Sequence, residues 1–323
     1  MTAAELRLRE RSRGSFSLAL VLRGRNIAAA APCGVVELAG STLCHRLAAE
    51  PPAPAWAIDF QGSPPRFAPN GEEAFVEGLQ ALALGSEERA RELLAGAARP
   101  PAAHFLDAAL ALRSGDLARA ESALEGARRA ASRIGRGFWR HGLAATIWLA
   151  LPGALVGRVE PERGGLLLVL AEVCRASGRL DAAQTLYARL ARLLPGDVGV
   201  SLLYADLLLG MRPLEAGAAR SVVALSEGAT FGSDASALLL LFRARALRAL
   251  GRAGAARELC ARGVGRSNGS HDTLGLAFRL ECAAASGDLR DYARAERERQ
   301  ELALCAPRFA AEAERSGVEL AVP

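Results

Sequence analysis

One stretch of the chain limits what the whole can fold into: residues 166–195, LLLVLAEVCRASGRLDAAQTLYARLARLLP. Apolar residues recur every three or four positions on both sides of a short polar turn, which indicates two helices with one buried face each. Gly178 can adopt the positive φ that ends the first helix, and Pro195 stops the second. Such a pair buries its apolar face only against similar pairs, so the stretch predicts a stack of them.

The turn and the small residues around it recur along the chain, as a stack requires. At four of the five aligned glycines, small residues stand seven positions before the glycine and five positions after it, where they let two helices approach closely. The aligned glycines are Gly85, Gly115, Gly178, Gly251 and Gly287; the small residues before them are Gly78, Ala108, Ala171 and Ala244, and those after them are Ala90, Ala120, Ala183 and Ala256.

This pattern resembles the tetratricopeptide repeat, a helix-turn-helix unit of about 34 residues. The matching positions in the central pair are Leu170, Ala171, Gly178, Ala183, Tyr187 and Pro195, whereas Leu190 stands where a small residue is usual. The resemblance implies an all-α fold, a tetratricopeptide-like α-solenoid of antiparallel helix pairs. From about residue 145 the chain also resembles uncharacterised bacterial tetratricopeptide proteins, at residues 234–239 and 243–247, a likeness that names no activity.

The pattern divides the chain into four regions. Residues 1–69 are predicted to form a small irregular or α/β module, with strand-like stretches at 15–22 and 34–38, or a partly disordered leader, and to end in a proline-rich linker. Residues 70–132 hold two repeats. Residues 133–164 interrupt the array, and residues 165–323 hold four repeats, one of them degenerate, with a polar C-terminal cap.

The interrupting segment has its own character. Residues 146–151 and 154–159 flank Pro152-Gly153 and are predicted to be two short extended segments, with a kinked helical pair as the alternative. Phe138, Trp139 and Trp148 form an aromatic cluster in an otherwise ring-poor chain. The cluster packs between two halves of the array or forms a partner-binding patch.

Charge and hydropathy exclude several classes of protein. The net charge is +5, and all 40 basic residues are arginine, spread beside Asp and Glu along amphipathic helices. That mixture is typical of solvated helix faces, so nucleic acid is not the expected partner. The apolar residues 142–157 are too few to span a membrane and include Pro152.

The six cysteines are scattered and form no CxxC motif. Cys174, Cys260 and Cys282 fall on apolar helix faces, which fits a reducing compartment and predicts a cytoplasmic location. Cys33 and the Cys44-His45 pair lack the spacing of a zinc site, so no metal is expected.

Motifs of catalysis are also missing from the sequence. The chain has no phosphate-binding GxxxxGK[ST] loop, no HExxH and no glycine fingerprint for a dinucleotide, and its four histidines have no partner at motif spacing. The chain is therefore predicted to be no enzyme and to need no cofactor.

The resemblance also implies where a partner binds. In the tetratricopeptide family the first helix of each pair lines a concave groove, and carrying those positions over gives Arg113, Leu168, Glu172, Arg175, Leu241, Arg245 and Arg248. Arginines converging there would bind a carboxylate bidentately, which favours an acidic peptide or a C-terminal carboxylate as ligand. The alternative is that these arginines are ordinary solvated residues.

The sequence thus predicts a non-enzymatic scaffold that binds a partner protein or peptide in the groove of the array. Two alternatives remain open. One is an accessory or regulatory protein of a bacterial pathway whose N-terminal module carries the activity. The other is an arginine-rich helical array that binds RNA.

Overall fold

A computed structural model describes most of the helical part of the chain and short strands elsewhere. The described residues are 16–22, 35–38, 41–45, 73–83, 86–95, 101–129, 143–150, 155–159, 163–211, 213–266 and 273–305. They fall into two compact units, Glu10–Pro195 and Gly196–Pro323.

The helices of the first unit pack as consecutive pairs. They are α1 (Glu73–Ala83), α2 (Glu87–Leu94), α3 (Pro101–Ser114), α4 (Leu117–Arg129), α5 (Arg163–Ala176) and α6 (Leu180–Leu193). Each odd-numbered helix packs on the next, α2 also contacts α3, and α4 contacts α5. The pairs therefore stack as the sequence predicts.

The same unit contains a five-stranded antiparallel sheet. Its strands are β1 (Phe16–Leu22), β2 (Val35–Leu38), β3 (Ser41–His45), β4 (Leu143–Ala150) and β5 (Leu155–Val159), in the order β1-β4-β5-β3-β2. The extended segments predicted on either side of Pro152-Gly153 are confirmed, with Ala150 opposite Val156, and the kinked helical pair is wrong. β1 pairs with β4 and β3 with β5, so the strands of the N-terminal region and of the interrupting segment share one sheet.

The second unit is helical throughout its described residues. Its helices are α7 (Val198–Gly210), α8 (Ala216–Leu225), α9 (Asp234–Ala249), α10 (Ala253–Arg266), α11 (Thr273–Asp288) and α12 (Tyr292–Cys305). Consecutive helices pack together, and the first helices of successive pairs also meet, α7 with α9 and α9 with α11. The prediction of a helical-repeat fold built from packed pairs is confirmed.

The turns of the pairs α3–α4, α5–α6 and α9–α10 share one hydrogen-bond pattern. At Gly178 φ is 77°, the Arg179 N–H donates to the Cys174 carbonyl at 2.9 Å, and the Ala183 N–H donates to the Arg179 carbonyl at 3.1 Å. The first bond ends α5 and the second begins α6, which explains why the three residues 177–179 suffice for the turn. The turns at Gly115 and Gly251 repeat the pattern.

The last pair corrects the predicted alignment. Gly287 lies inside α11, and the turn comes three residues later at Arg290, whose φ is 60°. The Asp291 N–H donates to the Ser286 carbonyl at 2.9 Å, and the Ala295 N–H donates to the Asp291 carbonyl at 3.0 Å. The turn is thus formed by a non-glycine residue, which the glycine pattern could not reveal.

When the last turn is placed at Arg290, the small residues keep the same distance from the turn in that pair as in the pairs aligned on a glycine. Each alanine seven before or five after the turn has at most 1% of its surface exposed: Ala108, Ala171, Ala244 and Ala283 before it, and Ala90, Ala120, Ala183, Ala256 and Ala295 after it. In the first pair, a Cβ on Gly78 would lie 3.1 Å from Leu94 Cγ. The close approach of the two helices therefore requires small residues here.

Some predictions concern residues outside those that the structure describes. Phe138, Trp139 and the proline-rich linker lie outside the described residues, and for Trp148 only the backbone in β4 is described. Within the part of the chain that the structure describes, no helix is both long and apolar enough to cross a membrane.

Candidate partner-binding face

The predicted groove residues lie on the first helices of three pairs, as the family likeness implies. Arg113 is on α3, and its side chain lies outside the described residues. Leu168, Glu172 and Arg175 are on α5, and Leu241, Arg245 and Arg248 are on α9. The α3 and α5 residues belong to the first unit and the α9 residues to the second, so two local groups are present.

The α5 group is largely buried. Leu168 and Glu172 are both buried. The Tyr187 hydroxyl of α6 donates a hydrogen bond to the Glu172 carboxylate. Arg175 Nη1 lies 3.9 Å from Glu172 Oε1. Leu168 therefore packs in the core instead of lining an exposed groove, and Glu172 fixes α6 against α5.

The α9 group divides into an interior residue and two partly exposed ones. Leu241 is fully buried, which corrects its assignment as a groove contact, because an apolar residue recurring at helical spacing serves the core first. The side chains of Arg245 and Arg248 are 31% and 25% exposed. These two arginines are the predicted groove residues of α9 that reach the surface.

Both arginines bind one carboxylate of the neighbouring pair. Arg245 Nε donates to Glu281 Oε2 at 3.2 Å, and Arg248 Nη1 donates to Glu281 Oε1 at 2.9 Å. Glu281, on α11, is itself buried. Arg248 Nε also donates to Asp288 Oδ2, 2.6 Å away at the end of α11. We call these four residues the arginine cluster.

The electrostatics of the arginine cluster favour the charged form of Arg248. Burial by itself lowers the pKa of Arg248, but the hydrogen bond to Asp288 and the charge of Glu281 outweigh it and raise that pKa above its usual value. Arg245 also stacks over the ring of Phe242, with its guanidinium carbon 5.9 Å from the centroid. Two oriented guanidinium groups therefore stand side by side at the surface of α9.

The cluster has hydrogen-bond donors to spare. Within the described residues, Arg245 donates through Nε alone and Arg248 through Nε and Nη1. A guanidinium group carries five N–H donors, so several still point away from Glu281. Planar forks of this kind suit carboxylate or phosphate oxygens.

Buried thiols lie beneath the same helices. Cys260 is fully buried on α10, and burial raises its thiol pKa, with the Glu281 carboxylate raising it further. Cys174 and Cys282 are buried and free as well. Among the described residues, no group of His, Cys, Asp and Glu side chains is arranged to hold a metal ion.

Sequence reasoning missed both acidic members of the arginine cluster. Glu281 interrupts the apolar run of α11, LAFRLECAAA, where a lone carboxylate signals a buried partner. Asp288 follows it by seven residues, which places the two on one face of the helix. Arg248 lies 33 residues from Glu281 and 40 from Asp288, and Arg245 lies 36 residues from Glu281, separations that no local pattern encodes.

Stacked helix pairs with a repeated turn and small interhelical residues define a helical-repeat protein. The family model of the tetratricopeptide repeat matches residues 165–207, which include most of α5, all of α6 and most of α7. This segment is similar to a tetratricopeptide repeat, and the pairs α3–α4, α9–α10 and α11–α12 share the hydrogen bonds of its turn. No curated protein matches the chain, and the predicted likeness to a bacterial group stays a prediction.

Proposed function

We propose that the protein is a non-enzymatic scaffold that binds a partner protein or peptide along the first helices of its array. The observation that carries the proposal is the pair Arg245 and Arg248, which a buried carboxylate holds in fixed orientation at a partly exposed surface. Preorganised donors of this kind bind without the entropic cost of ordering long side chains. The tetratricopeptide repeat at 165–207 supports a protein partner.

The chemistry of the arginine cluster favours an acidic ligand. The spare donors of Arg245 and Arg248 form planar forks that match a carboxylate. Arginines of other helices are also tied to acids, as in the pairs Arg119–Asp107 at 2.6 Å and Arg179–Glu121 at 2.5 Å. Paired cations spread over several helices do not form the continuous basic stripe that nucleic acid requires.

A capture experiment with matched variants tests the proposal. Arg245→Lys/Arg248→Lys keeps both charges near Glu281 but removes the planar forks, whereas Arg257→Lys changes an arginine of similar exposure that pairs with Asp291 at 3.1 Å. We expect one protein, identified by mass spectrometry from native extract, to be retained in stoichiometric amount by wild type and Arg257→Lys. The double variant should retain about tenfold less.

Two outcomes would overturn the proposal. Equal capture by the double variant would exclude the α9 arginines from the binding surface. Recovery of nucleic acid alone, lost at high salt, would replace the proposal with an RNA-binding array.

A cytoplasmic location belongs to the same proposal. Its support is that Cys174, Cys260 and Cys282 are free thiols in the structure, as in a reducing compartment. Alkylation of intact cells before lysis, followed by mass spectrometry, should find these thiols reduced, and recovery of disulfides would contradict the assignment.

A further inference from the structure

We propose that the place held by the Asp288 carboxylate is the place where one carboxylate of the partner binds, so that Asp288 is an internal competitor. The inference rests on the proposed function and adds the contact that the partner replaces. It identifies the ligand group as a single carboxylate, from an acidic side chain or from a chain terminus.

Without Asp288, the arginine cluster carries one positive charge that no carboxylate of the cluster balances. Glu281 uses one carboxylate oxygen for Arg245 and the other for Arg248, so two cations share one buried anion. These three groups carry a net charge of +1 at a partly buried surface. Asp288 supplies the missing negative charge, and any carboxylate in its place would do the same.

Asp288 is the most exposed member of the cluster, although its 2.6 Å contact with Arg248 is the shortest there. Its side chain is 38% exposed, against 7% for Glu281, and exposed ion pairs contribute little because water and salt screen them. Asp288 is also the last residue of α11, where the negative end of the helix dipole disfavours a carboxylate. Asp288 can therefore leave while Glu281 continues to orient both arginines.

An incoming carboxylate can bind Arg248 better than Asp288 does. Asp288 accepts from Nε of Arg248, and no described residue accepts a hydrogen bond from the adjacent Nη2. A free carboxylate can accept from Nε and Nη2 together, in the parallel two-bond geometry that makes arginine–carboxylate pairs specific. Arg245, which shares the Glu281 carboxylate with Arg248, also has spare N–H donors beside this site.

Fluorescence anisotropy on the full chain tests this inference with three labelled octapeptides that share a Gly and Ser background. The first contains two internal Asp residues and an amidated end, the second has no acid but a free terminal carboxylate, and the third has neither. The key variant is Asp288→Asn. Its matched control is Asp291→Asn, which removes the same charge from the Arg257 partner, whose side chain is 40% exposed.

We expect Asp288→Asn to bind one of the two carboxylate-bearing peptides about tenfold more tightly than wild type, because its internal competitor is gone. Asp291→Asn should bind as wild type does. The peptide whose affinity rises identifies the source of the carboxylate, a side chain or a terminus. No variant should bind the third peptide.

The outcomes separate this inference from the proposed function. Arg248→Lys is measured with the same peptides. If Asp288→Asn does not raise the peptide affinity while Arg248→Lys lowers it, the arginines bind the partner and the competitor role of Asp288 is wrong. If Arg248→Lys and Asp288→Asn both bind as wild type does, the arginine cluster is not the binding site and both proposals fail. An equal gain in Asp291→Asn would show a general charge effect and would also overturn the inference.

Discussion

The pairs α5–α6 and α11–α12 reach the same geometry by different chemistry. The first turns at Gly178 and the second at Arg290, yet both close with the same two backbone hydrogen bonds. Each has a buried glutamate on its first helix. Glu172 accepts a hydrogen bond from Tyr187 and lies 3.9 Å from Arg175 on its own helix, whereas Glu281 binds two arginines of the preceding pair.

The comparison shows which features the repeat geometry requires. A left-handed turn residue and small residues in the contact between the two helices are needed in both pairs, because the backbones must approach closely. The partner of the buried carboxylate is not fixed by the repeat. That freedom lets α11 link to α9 by charge, while α5 is linked to α6 by a hydroxyl.

The largest difference between the pairs should appear when each glutamate loses its charge. Glu281→Gln should lower the free energy of unfolding by about 2 kcal/mol, less than for a fully buried pair, because it deprives two partly exposed cations of their shared anion. Glu172→Gln should lower it by about 1 kcal/mol or less, because the amide oxygen still accepts from Tyr187. Urea denaturation measures both.

Glu296→Gln is the control for that experiment. Glu296 is 54% exposed and pairs with Arg299 one turn away at 3.4 Å, so its loss should change stability by less than about 0.5 kcal/mol. Equal losses for Glu281→Gln and Glu296→Gln would mean that burial of Glu281 adds nothing.

The thiols of the two units should differ in how they respond to alkaline pH. Burial raises the pKa of both Cys174 and Cys260, but the Arg179 guanidinium, 3.6 Å from the Cys174 sulfur, opposes the shift there. A thiol with a raised folded pKa stabilises the protein below its unfolded pKa, about 9, and this stability is lost as pH rises above it.

We therefore expect stability to fall above pH 9, by up to about 1.4 kcal/mol per pH unit for each protonated buried thiol. Urea denaturation of the reduced protein at several pH values measures the slope. Cys260→Ala should flatten it more than Cys174→Ala. The reverse order would contradict the role of Arg179.

The smallest effect should come from exchanging the turn residues. Gly178→Ala should cost about 1 kcal/mol, because alanine is strained at positive φ. Arg290→Gly should stabilise by about 0.5 kcal/mol, because relief of the same strain exceeds the added freedom of the unfolded chain. Thermal denaturation measures both, and a loss of stability in Arg290→Gly would show that the arginine side chain has a further role.

Much of the fold was predictable because its signals are local. Helical periodicity, the glycine turns and the strands around Pro152-Gly153 depend on residues close in sequence. The turn at Arg290 was not predictable, because a nearby glycine, Gly287, offered a better match to the pattern. The pairing of β1 with β4 was missed as well, because more than a hundred residues separate the two strands.

The contacts of the predicted groove residues could be anticipated from the sequence only in part. The family likeness placed Arg245 and Arg248 on the first helix of a pair, where both side chains are partly exposed, and their role in binding stays a prediction. Leu168 and Leu241 turned out to be interior residues, because a periodic pattern cannot separate a groove-facing apolar residue from a core-facing one. The contacts of Glu281 and Asp288 with the two arginines are visible only in the structure, where α11 packs against α9.

The sequence by itself determined the helix pairs, their small interhelical residues and the kind of array they build, since backbone hydrogen bonds within a helix join residues four apart. The tertiary structure alone decided which charges meet. The partners of Arg245 and Arg248 lie on another helix, and their contact depends on how two amphipathic surfaces pack. That packing turned two surface arginines into an oriented pair around one buried carboxylate.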